Sequence, residues 1–135
     1  MHEPEARTRF ADTRVVRLAT VGANGPHIVP VTFAAVGDVV VFAVDHKPKS
    51  TRGLQRIANI RRDPRVSFLA DAYDDRWMNL WWVRADGTAE ILDQGEPRAD
   101  EAIEWLAGRY HQYVEHRPEG PVAWAEITRW SWWSM

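Results

Sequence analysis

The chain has 135 residues, 45% hydrophobic and 27% charged, with a formal net charge of −2. That length makes one ordinary domain, 1–135, whose composition is globular and whose core hides roughly two-thirds of the unfolded surface. The absence of cysteine excludes disulfides, a thiol nucleophile and Cys-ligated metal. No apolar run approaches the ~18 residues of a membrane span, and no signal segment is read at the start. The slight acidity gives nucleic acid and anionic membrane no global attraction. A cytoplasmic protein with neither as partner is expected.

Glu3 to Ala11 reads as a short helix, and Val15 to Val21 as a β-branched strand ending at the turn Gly22-Ala23-Asn24-Gly25. A second strand is expected over His27–Ala35 and a third over Val39–Val44, joined at Gly37-Asp38. Their near-continuous hydrophobicity implies cover on both faces, and the short turns imply an antiparallel meander. Leu54, Ile57 and Ala58 set a helix over Ser50–Ile60 that Asp63-Pro64 ends. Strands follow over Arg65–Asp71 and Asn79–Ala85, separated by a turn at Asp74-Asp75. Asp86-Gly87 reads as a hairpin turn into Thr88–Leu92. An amphipathic helix spans Pro97–Val114, with Ile103, Leu106 and Tyr110 in its apolar stripe. Val122–Ile127 is the last strand, before an aromatic tail. The order predicts an α+β fold, mainly β, in which two helices are inserted into a small barrel.

The basic run Lys47, Lys49, Arg52, Arg56, Arg61, Arg62 and Arg65 leaves a predicted strand and enters a helix N-terminus, where an anion would find free N–H groups. Lys47 and Lys49 are the only lysines among 17 basic residues, which suggests a place that wants a compact ammonium. A solvated helix face is the plain alternative. Of the 8 tryptophans, Trp77, Trp81 and Trp82 form one cluster and Trp130, Trp132 and Trp133 another. The first is read as core packing or as a wall for a planar ring. The second, at the chain end, is read as a partner surface or a pocket mouth. His2, His27, His46, His111 and His116 show no metal-ligand spacing, and no Ser, His and Asp grouping suggests a nucleophile. With no catalytic side chain in evidence, a cofactor would carry the chemistry.

Val15–Val21, Gly25–Phe33, Val40–Thr51 and Asn59–Ser67, with Trp81-Trp82-Val83-Arg84-Ala85-Asp86-Gly87 and the late Trp130-Ser131-Trp132-Trp133, together resemble the pyridoxamine 5′-phosphate oxidase-like split β-barrel family. More closely they resemble its actinobacterial branch of F420-dependent oxidoreductases. The resemblance covers essentially the whole chain. It implies an FMN-binding-type split barrel that is a homodimer with cofactor sites at the subunit interface. By analogy Pro30, Val31, Thr32 and Phe33 line the ring system from one strand, and Val44 and Asp45 from the next. Lys49 and Ser50 fall where the flavin branch has a Ser-Arg-Lys phosphate motif, although that triplet is absent here, and Lys47 is counted with them as cofactor-binding. Trp77 and Trp82 would close the site. The implied cofactor is coenzyme F420, a deazaflavin, with FMN as the alternative, and the implied activity is hydride transfer to a small organic substrate. The residues that act on pyridoxamine phosphate have no counterpart that we can place. A flavoprotein using FMN, or a non-enzymatic carrier of F420, FMN or haem, are the competing readings.

Overall fold

A computed structural model describes residues 1–44 and 51–135, without the side chains of 51–54. In chain order the elements are α1 (Glu3–Asp12), β1 (Val16–Gly22), β2 (Gly25–Val31), β3 (Ala34–Val36), β4 (Val39–Ala43), α2 (Thr51–Arg62), β5 (Arg65–Ala72), a 3₁₀ turn (Trp77–Asn79), β6 (Trp81–Leu92), α3 (Pro97–Arg109), α4 (His111–Glu115) and β7 (Val122–Ser134). The seven strands form one antiparallel sheet in the order β2-β1-β5-β6-β7-β4-β3.

This order closes a barrel. β2 and β3 are the two ends of the sheet, yet only Thr32 and Phe33 separate them. Three residue steps reach at most about 11 Å, whereas the edges of a flat seven-stranded sheet would stand roughly 29 Å apart. The sheet must therefore roll until its edges meet at Thr32-Phe33. The expected meander of three strands is corrected accordingly. The continuous apolar run His27–Ala35 hides a corner, and the hairpins β1–β2 and β3–β4 lie at opposite ends of the strand order.

The barrel interior is filled by Val16 and Leu18 of β1, Phe42 of β4, Phe68 of β5 and Val83 and Ala85 of β6, with Phe10 of α1 and Ile57 and Ile60 of α2 packed against them. A second core lies outside β4 and β7, where α3 packs Ala99, Ala102, Ile103 and Leu106 against Val41, Leu92 and Val122. The alternation along β4 explains its continuous hydrophobicity. Val40 and Phe42 point inward, and Val41 points toward α3. This is an α+β fold, mainly β, of the split-barrel type.

Two further expectations change. Asp86-Gly87 is no hairpin turn: β6 runs unbroken for 12 residues, with a bulge against β7 at that point. A Cβ on Gly87 would overlap the backbone carbonyl of Glu126, so glycine is needed for close strand approach rather than for a turn. The aromatic tail is strand as well, since β7 continues to Ser134. Trp130 and Trp132 face the interior side, where Trp130 meets Phe10 edge-on at 5.2 Å and Trp132 Nε1 donates to the Met1 carbonyl at 3.1 Å. Trp133, on the opposite face of β7, is 39% exposed. Among the described residues no helix is long and apolar enough to cross a membrane.

Candidate functional site

The corner where the sheet closes is also where polar groups converge. Thr32 and Phe33 lie outside the strand ladders, so side chains hold them instead. Thr32 Oγ1 and the Tyr113 hydroxyl of α4 share a hydrogen bond of 2.8 Å. Arg56, on the first turns of α2, faces Tyr113; it is half-buried, and burial lowers its pKa. Its Nε is buried without a hydrogen-bond partner among the described residues. A desolvated guanidinium donor left open in this way suits an anion, because an anionic acceptor returns the lost hydration.

α2 is fixed in place by a buried polar contact. Asn59 donates to Thr20 Oγ1 at 3.0 Å and accepts from Gln55 at 2.8 Å. Ile57 and Ile60, on the same side, reach the barrel interior. The helix therefore holds Arg56 in a fixed direction. Val44, at the end of β4, donates its N–H to the Pro121 carbonyl at 3.1 Å. Gly120 stands so close to Val44 that a Cβ there would crowd the Val44 carbonyl at 3.0 Å.

A second feature lies on the outer face of β2-β1-β5-β6-β7. The register sets Pro30, Arg17, Leu69, Arg84 and Ser131 in one row across the sheet. The adjoining rows carry Ala19, Ser67 and Asp86 on one side and Asp71, Trp82 and Trp133 on the other. Arg17, Leu69, Asp71, Tyr73, Trp82 and Arg84 line a cavity of about 450 Å³ there. Arg17 stands 3.6 Å from Asp71, and Arg84 3.2 Å from Asp86. Tyr73 lies against Trp133 with ring centroids 6.5 Å apart. The dish has an aliphatic floor, aromatic walls and paired charges at its sides.

The expected site residues divide between these features. Thr32 belongs to the corner. Pro30 is exposed and paired with Arg17 on the outer face, and Trp82 lines the dish. Trp77 is 71% exposed on the 3₁₀ turn and does not line the dish. Val31 and Phe33 are 5% and 0% exposed, with their side chains in the barrel core beside the corner. Asp45, Lys47, Lys49 and Ser50 lie outside the described residues, as does His46. Arg56 and Tyr113 were not expected in the site. Arg56 was visible only as one member of a basic run, and nothing in the sequence marks Tyr113. Among the described residues no three His, Cys, Asp or Glu side chains gather as a metal site.

Fold and site together define a split β-barrel domain with an anion-receptive corner and an open aromatic face. The chain belongs to the pyridoxamine 5′-phosphate oxidase family, whose model matches residues 2–134. No curated protein matches it. Among solved structures it is similar to a conserved hypothetical protein of Mycobacterium tuberculosis, at 25% identity and a TM-score of 0.78, covering 99% of this chain and 85% of that one. It is also similar in fold to an FAD-binding protein of Mesorhizobium loti, at 22% identity and a TM-score of 0.70, covering 98% of this chain and 92% of that one. A third likeness of fold is to an F420 reductase, at 22% identity and a TM-score of 0.67, covering 93% of this chain and 94% of that one.

Proposed function

We propose that this protein is a reductase that passes a hydride between reduced coenzyme F420 and an organic acceptor. The observation that carries the reading is the buried Nε of Arg56, without a hydrogen-bond partner among the described residues, beside the Thr32–Tyr113 hydroxyl pair. A phosphodiester there would take a charge-assisted hydrogen bond from Arg56 and a hydroxyl contact from the pair. Thr32 and Val44 lie at the strand ends toward which the ring would extend, and Pro30 borders it from the outer face. Lys47, Lys49 and Ser50 follow directly in the chain as further phosphate contacts, with Asp45 beside the ring. Arg61, exposed on α2, offers a polyanionic tail a continuing cationic path. An F420 reductase shares this fold, as a haem-storage protein does, so the choice between these cofactors rests on the anion-receptive corner; the family itself supports a ring cofactor over a purely structural role.

The deazaflavin supplies two-electron hydride chemistry when bound. The chain's own residues bind its phosphate, orient the ring and exclude water, which is a task of proximity rather than acid–base catalysis. We further propose a homodimer in which the outer dish, with Trp82 and the exposed Trp77, closes the partner's site. Ile28, Tyr73, Trp77 and Met78 are 65%, 60%, 71% and 84% exposed, large apolar side chains that a second copy would cover. The reading is tested by titrating the purified protein with F420, FMN and haem and following the spectrum of each. Saturable F420 binding that outcompetes FMN supports it. Binding of FMN or haem alone overturns it.

A further inference from the structure

We propose that Tyr110 is a positioning residue for the anion corner, acting through Phe33 and Thr32; the inference rests on reading that corner as a phosphate subsite. Tyr110 stands at the break between α3 and α4 and is 6% exposed. Its hydroxyl accepts from the Phe33 N–H at 3.1 Å and lies 3.0 Å from the Phe33 carbonyl and 2.8 Å from that of Arg14. A phenol has one proton, so it serves one of these carbonyls at a time and spans both. Phe33 is between β2 and β3, where no ladder partner satisfies its backbone, and Tyr110 supplies what the sheet does not.

Three residues further on, Tyr113 meets Thr32. The two tyrosine rings are 5.7 Å apart at 77°, so one short stretch of helix grips two consecutive corner residues. Tyr110 is itself held from behind. The Arg14 guanidinium lies 4.6 Å over its ring and donates to the Arg109 carbonyl at 2.8 Å. Arg109 lies 4.7 Å over the Phe33 ring, 5.3 Å over that of Tyr110, and donates to the Ala11 and Thr13 carbonyls. This packing makes the Tyr110 hydroxyl a fixed post. In the Thr32–Tyr113 pair one proton lies between the oxygens and the other is free to donate. Holding Phe33 fixes where Thr32 stands relative to Arg56, and so where that free donor points. A corner already in the bound geometry loses less freedom when the anion arrives.

The experiment uses the whole chain, inorganic pyrophosphate as probe, and the Arg56 Nε–Hε resonance as reporter. Tyr110→Phe keeps the ring and removes the hydroxyl. Pyrophosphate affinity should fall about five-fold, the equivalent of one neutral hydrogen bond. Tyr113→Phe should cost a similar factor, and the double variant little more than either, since both act on one geometry. Unchanged affinity in Tyr110→Phe, or losses that multiply in the double variant, would overturn the proposal. So would a wild-type Arg56 resonance that ignores pyrophosphate. If Tyr110→Phe fails to fold, 3-fluorotyrosine at position 110 keeps the hydroxyl. Its fluorine signal should shift on pyrophosphate saturation, and a still signal would contradict the inference. Wild-type protein that binds pyrophosphate but not F420 would sink the cofactor reading while leaving the role of Tyr110 intact.

Discussion

Thr32 Oγ1 and the Tyr113 hydroxyl lie 2.8 Å apart, 81 residues distant in the chain, and join the sheet corner to the helix that faces Arg56. Arg56→Gln should weaken F420 binding by about 1.5–3 kcal/mol, the range of a hydrogen bond to a charged group, with little change in thermal stability. Lys49→Ala is expected to cost a similar amount. Arg61→Ala, on an exposed stretch of α2, should cost less. Fluorescence titration of the three variants checks this, and equal small effects would return the basic run to an ordinary solvated face.

Gly87→Ala tests the bulge. A methyl group would overlap the Glu126 backbone, which no side-chain rearrangement can relieve. A loss of about 1–3 kcal/mol is expected in urea denaturation, as for other overpacked positions. A variant as stable as wild type would show that β6 and β7 are further apart at the bulge than described.

Much of the fold was legible because local signals agreed with it. β1, β4, β5 and α2 lie within a residue or two of their expected places, since periodicity and the Asp63-Pro64 stop act locally. The misses share a cause. A glycine at a bulge and a glycine in a hairpin look alike in sequence, and only the length of β6 against β7 separates them. The apolar run through Thr32-Phe33 carries no mark of a corner, because the groups that turn it, Tyr110 and Tyr113, come from far along the chain. The apolar stripe likewise hid the helix break at Tyr110. Tryptophan count alone could not separate Trp130 and Trp132, which pack inward, from Trp133, which does not. At the site, a basic run was visible, but the burial that distinguishes Arg56 within it is a tertiary property.

The turn between α2 and β5 should report on pH. Asp63 accepts from the Arg65 N–H at 3.2 Å and from its guanidinium at 3.0 and 2.7 Å. These bonds lower the Asp63 pKa to about 2. A depressed folded-state pKa means the contribution is present above the unfolded value of about 3.9. It is lost as pH falls through about 2. Asp63→Asn should therefore melt below wild type at pH 6, and the two should converge as pH approaches 2. Melting curves that stay parallel throughout would contradict the pairing.

Leu69 is the floor of the outer dish, between Arg17 and Arg84. If a second copy covers that face, Leu69→Arg sets a third guanidinium between Arg17 and Arg84 in a dry interface and should yield a monomer. Light scattering at micromolar concentration should give a dimer for wild type and half that mass for the variant. A wild-type monomer would remove the interface, and a dimeric variant would move it elsewhere.

The central claim is that the corner serves a deazaflavin, and one assay meets it directly. Reduced F420 is mixed with the protein and menadione, and its reoxidation is followed beside oxygen consumption, with reduced FMN in a parallel cell. The account predicts protein-dependent, saturable oxidation of reduced F420 by the quinone with little oxygen consumed, slowed in Arg56→Gln at subsaturating cofactor. Turnover with FMN and oxygen, and none with F420, would contradict it.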